Sequence, residues 1–102
     1  MTADQVIILK EAADDLYAGA EFYEMQKPLL GTYFFDSLIS DIESLYLVAG
    51  IHEMHCGFHR MLASKFPFAI YYSLDESTAQ VMAVLDMRGN PAWTRQRLTG
   101  SN

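Results

Sequence analysis

The spacing of hydrophobic positions changes several times along the chain, and each change marks an element. Residues 5–10 read QVIILK, a β-branched run between polar neighbours that predicts a first strand. From residue 11 the period lengthens, with Ala12, Ala13, Leu16, Tyr17, Ala20 and Tyr23 recurring three and four residues apart around Asp14, Asp15, Glu21 and Glu24. That is the stripe of an amphipathic helix, and Glu11, Asp14 and Asp15 put negative charge at its positive end. Gly19 weakens such a helix by up to about 1 kcal/mol relative to alanine, which predicts close packing there. Pro28 ends it, because the residue before a proline is pushed out of helical geometry. A second helix is expected over residues 29–47, with Leu30, Phe34, Leu38, Ile42 and Leu45 on one stripe. The short link Gln26-Lys27-Pro28 makes the two an antiparallel hairpin, and Gly50 supplies the left-handed turn that closes it.

Past Gly57 the pattern becomes that of strands. Residues 58–63, 66–74 and 78–86 are expected to be extended, with Asp75-Glu76-Ser77 as a turn and Pro67 near a strand start, where a missing N–H is tolerated. The last two runs are almost continuously apolar and predict central strands with both faces at least partly covered. Alternation puts Phe66, Phe68, Ile70 and Tyr72 on one face and Pro67, Ala69, Tyr71 and Ser73 on the other. Pro91 suits the first position of a short helix over residues 91–98. The order β-α-α-β-β-β plus a tail helix predicts an α+β fold, a helical hairpin packed on a curved antiparallel sheet. It fits one domain over residues 1–98 with a tail at 99–102.

Composition narrows the classes. A chain of 102 residues with 51% hydrophobic and 20% charged residues is a single globular domain, not a disordered segment. No apolar run approaches the length of a membrane span, and Met1-Thr2-Ala3-Asp4 lacks the basic flank of a signal peptide. The single Cys56 cannot close an internal disulfide, which points to a reducing cytoplasm. The net charge of −6 argues against direct nucleic-acid binding. That charge is unevenly spread. Residues 1–53 carry ten acids against Lys10 and Lys27, a net of −8, whereas residues 54–102 carry Arg60, Lys65, Arg88, Arg95 and Arg97 against Asp75, Glu76 and Asp86, a net of +2. An acidic or anionic partner is therefore expected to meet the second half.

Three clusters carry candidate chemistry. His52, His55, Cys56 and His59 contain zinc-type donors, but Gly50 and Gly57 break any helix that could align them, and a strand sends His52 and His55 to opposite faces. Loop histidines, solvated or hydrogen-bonded, are the better reading, and neither a metal nor a cofactor is expected. The series Phe66, Phe68, Tyr71, Tyr72 could stack bases but reads first as sheet core. The segment 86–98 combines Arg88, directly after a central strand, with Trp93, Arg95 and Arg97. Arginine binds carboxylate or phosphate through two parallel bonds, and Trp and Arg are enriched at interface hot spots. A salt bridge from Arg88 to Asp86, with Trp93 over the core, is the structural alternative.

In this order the pieces resemble the ParE/RelE toxin superfamily, often labelled plasmid stabilisation proteins. The matching segments are Ala12-Ala13-Asp14-Asp15-Leu16, Glu21-Phe22-Tyr23-Glu24, Pro28-Leu29-Leu30-Gly31-Thr32-Tyr33-Phe34, Lys65-Phe66-Pro67-Phe68-Ala69-Ile70-Tyr71-Tyr72, and residues 81–91. The resemblance implies a small toxin of a type II toxin–antitoxin pair, held by a cognate antitoxin. Ribonuclease members cut mRNA on the ribosome with a basic set and often a tail tyrosine; here Arg88 matches, Lys65 is a possible substitute beside Ser64, and no tyrosine follows Tyr72. One arginine and one lysine without an evident base are a poor set for activating a 2′-hydroxyl. The resemblance is therefore nearer the ParE-like branch, associated with binding DNA gyrase, with Arg60, Lys65, Arg88, Trp93, Arg95 and Arg97 as the expected target- or antitoxin-binding surface. A ribosome-dependent mRNA endonuclease using Arg88 and Lys65, and a non-toxic homologue serving as an interaction module, are the alternatives.

Overall fold

In the computed structural model the described residues are 2–100. The chain runs β1 (Gln5–Ile8), α1 (Lys10–Gln26), α2 (Leu30–Glu43), α3 (Leu45–Val48), β2 (Met54–His55), β3 (Phe58–Leu62), β4 (Phe68–Asp75), β5 (Thr78–Asp86) and α4 (Pro91–Thr99). The five strands form one sheet in the order β1-β5-β4-β3-β2. The pairings β5–β4, β4–β3 and β3–β2 are antiparallel, whereas β1 joins the edge parallel to β5, with Gln5 opposite Thr78 and Ile8 opposite Val81. The fold is the expected α+β arrangement, with a helical hairpin on a mainly antiparallel sheet. The end of the expected tail, Ser101 and Asn102, lies outside the described residues.

The apolar stripes meet as their spacing requires. Ala12, Leu16 and Tyr23 of α1, with Phe34, Leu38 and Ile42 of α2, pack against Phe68, Ile70 and Tyr72 of β4 and against Val81 and Val84 of β5. The opposite face of the same strands builds a smaller cluster, in which Ala69, Tyr71 and Ala83 are covered by Leu98 of α4. Both faces of β4 and β5 are thus buried, which accounts for their almost unbroken apolar character. A bulge adjusts the alternation: Tyr71 faces Ala83 and Tyr72 faces Val81, leaving Met82 as the extra residue in β5.

Gly19 and Gly31 let the two long helices meet. A Cβ on Gly19 would fall 2.6 Å from the Phe34 ring, and one on Gly31 would fall 2.4 Å from the Ala20 carbonyl oxygen. The chain turns into α2 through Leu29, in left-handed geometry at φ 74°, where the Glu24 carboxylate accepts the N–H groups of Leu29 at 3.1 Å and Gly31 at 3.0 Å. A side chain of α1 therefore satisfies two of the open donors at the start of α2.

Three boundaries differ from expectation. The second helix pauses at Ser44, whose hydroxyl donates to the Asp41 carbonyl at 2.6 Å, and resumes as the single turn α3. The histidine segment holds a strand, β2, joined to β3 by the two-residue turn Cys56-Gly57 with φ of 52° and 86°. Two consecutive positive φ values are what a tight hairpin of the right twist needs. Finally, β4 starts at Phe68, because Phe66 and Pro67 bend locally, with the Phe68 N–H donating to the Phe66 carbonyl at 2.7 Å.

Candidate functional site

Of the six residues expected to form a binding surface, Arg88 and Arg97 are held by carboxylates that fix their geometry. Arg88 directly follows β5, and its guanidinium donates to Asp86 through Nε at 3.0 Å and Nη2 at 2.7 Å, while its own N–H donates to Asp86 Oδ1 at 2.8 Å. A further bond, from Nη2 to the Tyr23 hydroxyl at 3.3 Å, ties this corner to α1. The hydrogen bonds from Arg88 hold the Asp86 carboxyl below its usual range, and the same bonds favour the charged guanidinium. Arg88 still has 59% of its side chain open to solvent.

Arg97 is committed to the α1 side of α4. It forms two parallel bonds to Asp15, Nη1 to Oδ1 at 2.8 Å and Nη2 to Oδ2 at 2.7 Å, and a third to the Glu11 carbonyl at 3.2 Å. Asp15 Oδ2 also accepts the Val84 N–H at 2.9 Å. The reason lies in the sheet: Leu9 is the last residue to pair with β5, through Val81, so the outer N–H of Val84 has no strand beside it. One carboxylate thus closes the open edge of β5 and anchors α4 to α1. Asp15 is more than a helix-end charge, and the sequence reading missed this role because its two partners lie 69 and 82 residues away.

Lys65, in the β3–β4 connection, sits with Nζ 5.5 Å from the centre of the Tyr33 ring. Tyr33 contacts Phe66 at 5.6 Å between ring centres, and Phe66 contacts Tyr23 at 4.9 Å. Lys65 and Arg88 therefore stand at the two ends of one aromatic row. Arg60 lies in β3 opposite Tyr71, on the α4 side of the sheet.

The fourth helix presents Trp93 and Arg95 outward. Asn90 caps it, its side chain accepting the Ala92 N–H at 2.9 Å, with Pro91 in the first turn as expected. Trp93 is 70% exposed. It stands over a cleft of about 360 Å³ whose other walls include Leu85, Asp86, Gly89 and Arg97. Asp86 lines this cleft and pairs with Arg88, so Arg88, Trp93 and Arg97 share one corner, to which Lys65 is linked only through Tyr33, Phe66 and the buried Tyr23.

The histidines are held in place within the fold. His52 Nδ1 is hydrogen-bonded to the Tyr72 hydroxyl, which also accepts the Gly50 N–H at 2.9 Å. His59 stacks on the Tyr72 ring and bonds the His52 carbonyl at 2.8 Å. Burial, with a smaller contribution from His59, pushes the His52 imidazole below its usual range. No group of three or more His, Cys, Asp or Glu side chains that could hold a metal occurs among the described residues.

No family model matches the sequence, and no curated protein does. Solved structures do. One chain of a structure described as "Chromosomal ParDE TA system from P. aeruginosa" matches with a TM-score of 0.71 over 78% of this chain and 91% of that chain, at 18% identity. The fold is ParE-like. In this ParE-like fold the helical hairpin and the sheet form the scaffold, and α4 with the β5–α4 turn forms the surface just described. No helix among the described residues is long and apolar enough to cross a membrane.

Proposed function

We propose that the chain is the toxin component of a type II toxin–antitoxin pair, held in check by a cognate antitoxin and acting in the cytoplasm by binding a cellular protein such as DNA gyrase. The observation that carries this is the likeness of the fold, over 78% of this chain, to a chain of a chromosomal ParDE system. The surface fits binding better than chemistry. Arg88 and Arg97 are already occupied by Asp86 and Asp15, so they set the shape of the corner, while Trp93, Arg95, Arg60 and Lys65 are the contacts offered outward. An exposed tryptophan flanked by arginines is the composition of an interface hot spot.

A second reading has one observation in its favour. Lys65 and Arg88 bracket the row Tyr33, Phe66, Tyr23, whose exposed member Tyr33 offers one ring for a base to stack on, with two cations for phosphate. Inducible expression in a bacterial host, with pulse-labelling of DNA and protein synthesis, separates the two. Early loss of DNA synthesis with filamentation is the expected result, and early loss of protein synthesis with cleaved transcripts transfers the assignment to a RelE-like endonuclease. Unimpaired growth with folded, soluble protein overturns the toxin reading in favour of an interaction module. Arg88→Glu, at a site with 59% of the side chain exposed, is expected to abolish toxicity, with circular dichroism verifying that the variant is folded; retained toxicity in a folded variant removes Arg88 from the surface.

A further inference from the structure

We propose that the groove between α1 and α2 is a docking site for a basic segment of a partner protein, anchored by an apolar side chain and held by arginine or lysine. It rests on the toxin–antitoxin reading only in naming that partner as the antitoxin. The groove's own chemistry is independent of that reading.

The groove holds about 390 Å³ and exists because Gly31 allows α2 to approach the Ala20 backbone. Its apolar wall is the stacked pair Tyr17 and Phe35, with ring centres 5.6 Å apart and planes 19° from parallel. Tyr17 is 64% exposed, which is a large aromatic surface for a helix to leave in water. The rim is acidic. Glu21 and Asp36 line it, and neither side chain has a hydrogen bond or ion pair among the described residues. Glu24 also lines it but is already bonded to the N–H groups of Leu29 and Gly31, so it builds the groove and is not free to receive a ligand. No lysine or arginine lines the groove, and the half of the chain that forms it carries a net charge of −8.

Charge decides the occupant. Arginine and lysine can lay their methylene stems on Tyr17 and Phe35 while their charged ends reach Glu21 and Asp36, and a guanidinium can also stack on the tyrosine face. An acidic segment meets uncompensated like charge along the whole rim. The outer face of α4, with Arg95 and Trp93, would select acidic partners. The two surfaces therefore divide their ligands by sign.

The test uses the full chain and two fluorescent helical peptides with the same leucine, alanine and glutamine framework, one bearing arginines and the other glutamates at the same positions. Anisotropy is expected to show binding of the arginine peptide, weakened about tenfold between roughly 0.05 and 0.3 M salt. A Glu21→Lys, Asp36→Lys double variant is expected to weaken it by a further factor of about ten, since both sites are exposed and each charge contributes a few-fold. Tyr17→Ala, which leaves the charge intact, is expected to weaken it as well, and circular dichroism verifies that both variants are folded. Equal or tighter binding of the glutamate peptide overturns the proposal, as does absence of arginine-peptide binding, or binding that both variants leave unchanged. Concentration-dependent self-association abolished by Tyr17→Ala would instead assign the groove to a second copy of the chain. Growth assays report on the toxin reading separately, so a non-toxic chain that binds the arginine peptide fails one and passes the other.

Discussion

Replacing Asp15 with alanine tests whether one carboxylate closes the sheet edge and anchors the last helix. Two contributions are lost. The Val84 N–H, bonded to Asp15 Oδ2 at 2.9 Å, is left without its acceptor in a part-buried position, which costs about 1–3 kcal/mol. The pair with Arg97 is partly open, with side-chain exposures of 15% for Asp15 and 33% for Arg97, so solvent screening holds its contribution to about 0.5–1 kcal/mol. Alanine's better helix propensity returns about 0.5 kcal/mol. The net loss is about 2 kcal/mol, which at a urea dependence of about 1.5 kcal/mol per molar lowers the unfolding midpoint by about 1.3 M.

Arg97→Ala supplies the control, because it breaks the pair and leaves Asp15 on Val84; its expected loss is about 1 kcal/mol or less. Asp15→Asn keeps an oxygen for Val84 and should fall between the two. Amide exchange gives a local reading: the Val84 N–H is expected to exchange faster in Asp15→Ala and to remain protected in Arg97→Ala. If the two alanine variants lose the same stability and Val84 stays protected in both, the edge-closing role is wrong and only the ion pair remains.

Gly31→Ala forces a methyl to within 2.4 Å of the Ala20 carbonyl oxygen and 2.8 Å of the Glu24 Cβ, so the helices must part; a loss of about 2 kcal/mol in urea unfolding is expected, and an unchanged midpoint would contradict the close approach. His52 is held below its ordinary value of 6.5, chiefly by burial, so between the folded value and 6.5 the unfolded chain binds more protons. Stability is therefore full above 6.5 and declines as pH falls through that window, a dependence that His52→Gln should flatten when midpoints are measured from about pH 5 to 8.

What the sequence made legible follows from how far each signal reaches. The helical stripes and the alternation through Phe66, Phe68, Ile70 and Tyr72 are local patterns, and burial on both faces left its mark in composition. The hairpin at Cys56-Gly57 stayed hidden because its first turn residue is a cysteine, whereas the usual signal for positive φ is asparagine or aspartate before glycine. The parallel entry of β1 was equally invisible: a four-residue strand of alternating exposure fits either direction, and the partner that decides, β5, is more than 70 residues on.

The candidate surface shows the same division more sharply. Sequence reasoning grouped Arg60, Lys65, Arg88, Trp93, Arg95 and Arg97 by residue type, and type alone cannot say which charges remain available. Asp86 is two residues from Arg88, so that pair could be read as the structural alternative from the sequence, and it forms. Asp15 and Arg97 are 82 residues apart, and their pairing depends on α4 returning over the edge of β5 beside the start of α1. Once both carboxylates are assigned, Arg60, Lys65 and Arg95 are the bases of this set that no carboxylate pairs among the described residues, and Glu21 and Asp36 are likewise unpaired in the helical groove. A net charge of −6 therefore misdescribes how this molecule meets partners, because Asp86 and Asp15 are already neutralised by Arg88 and Arg97 and those two acids of the groove are not.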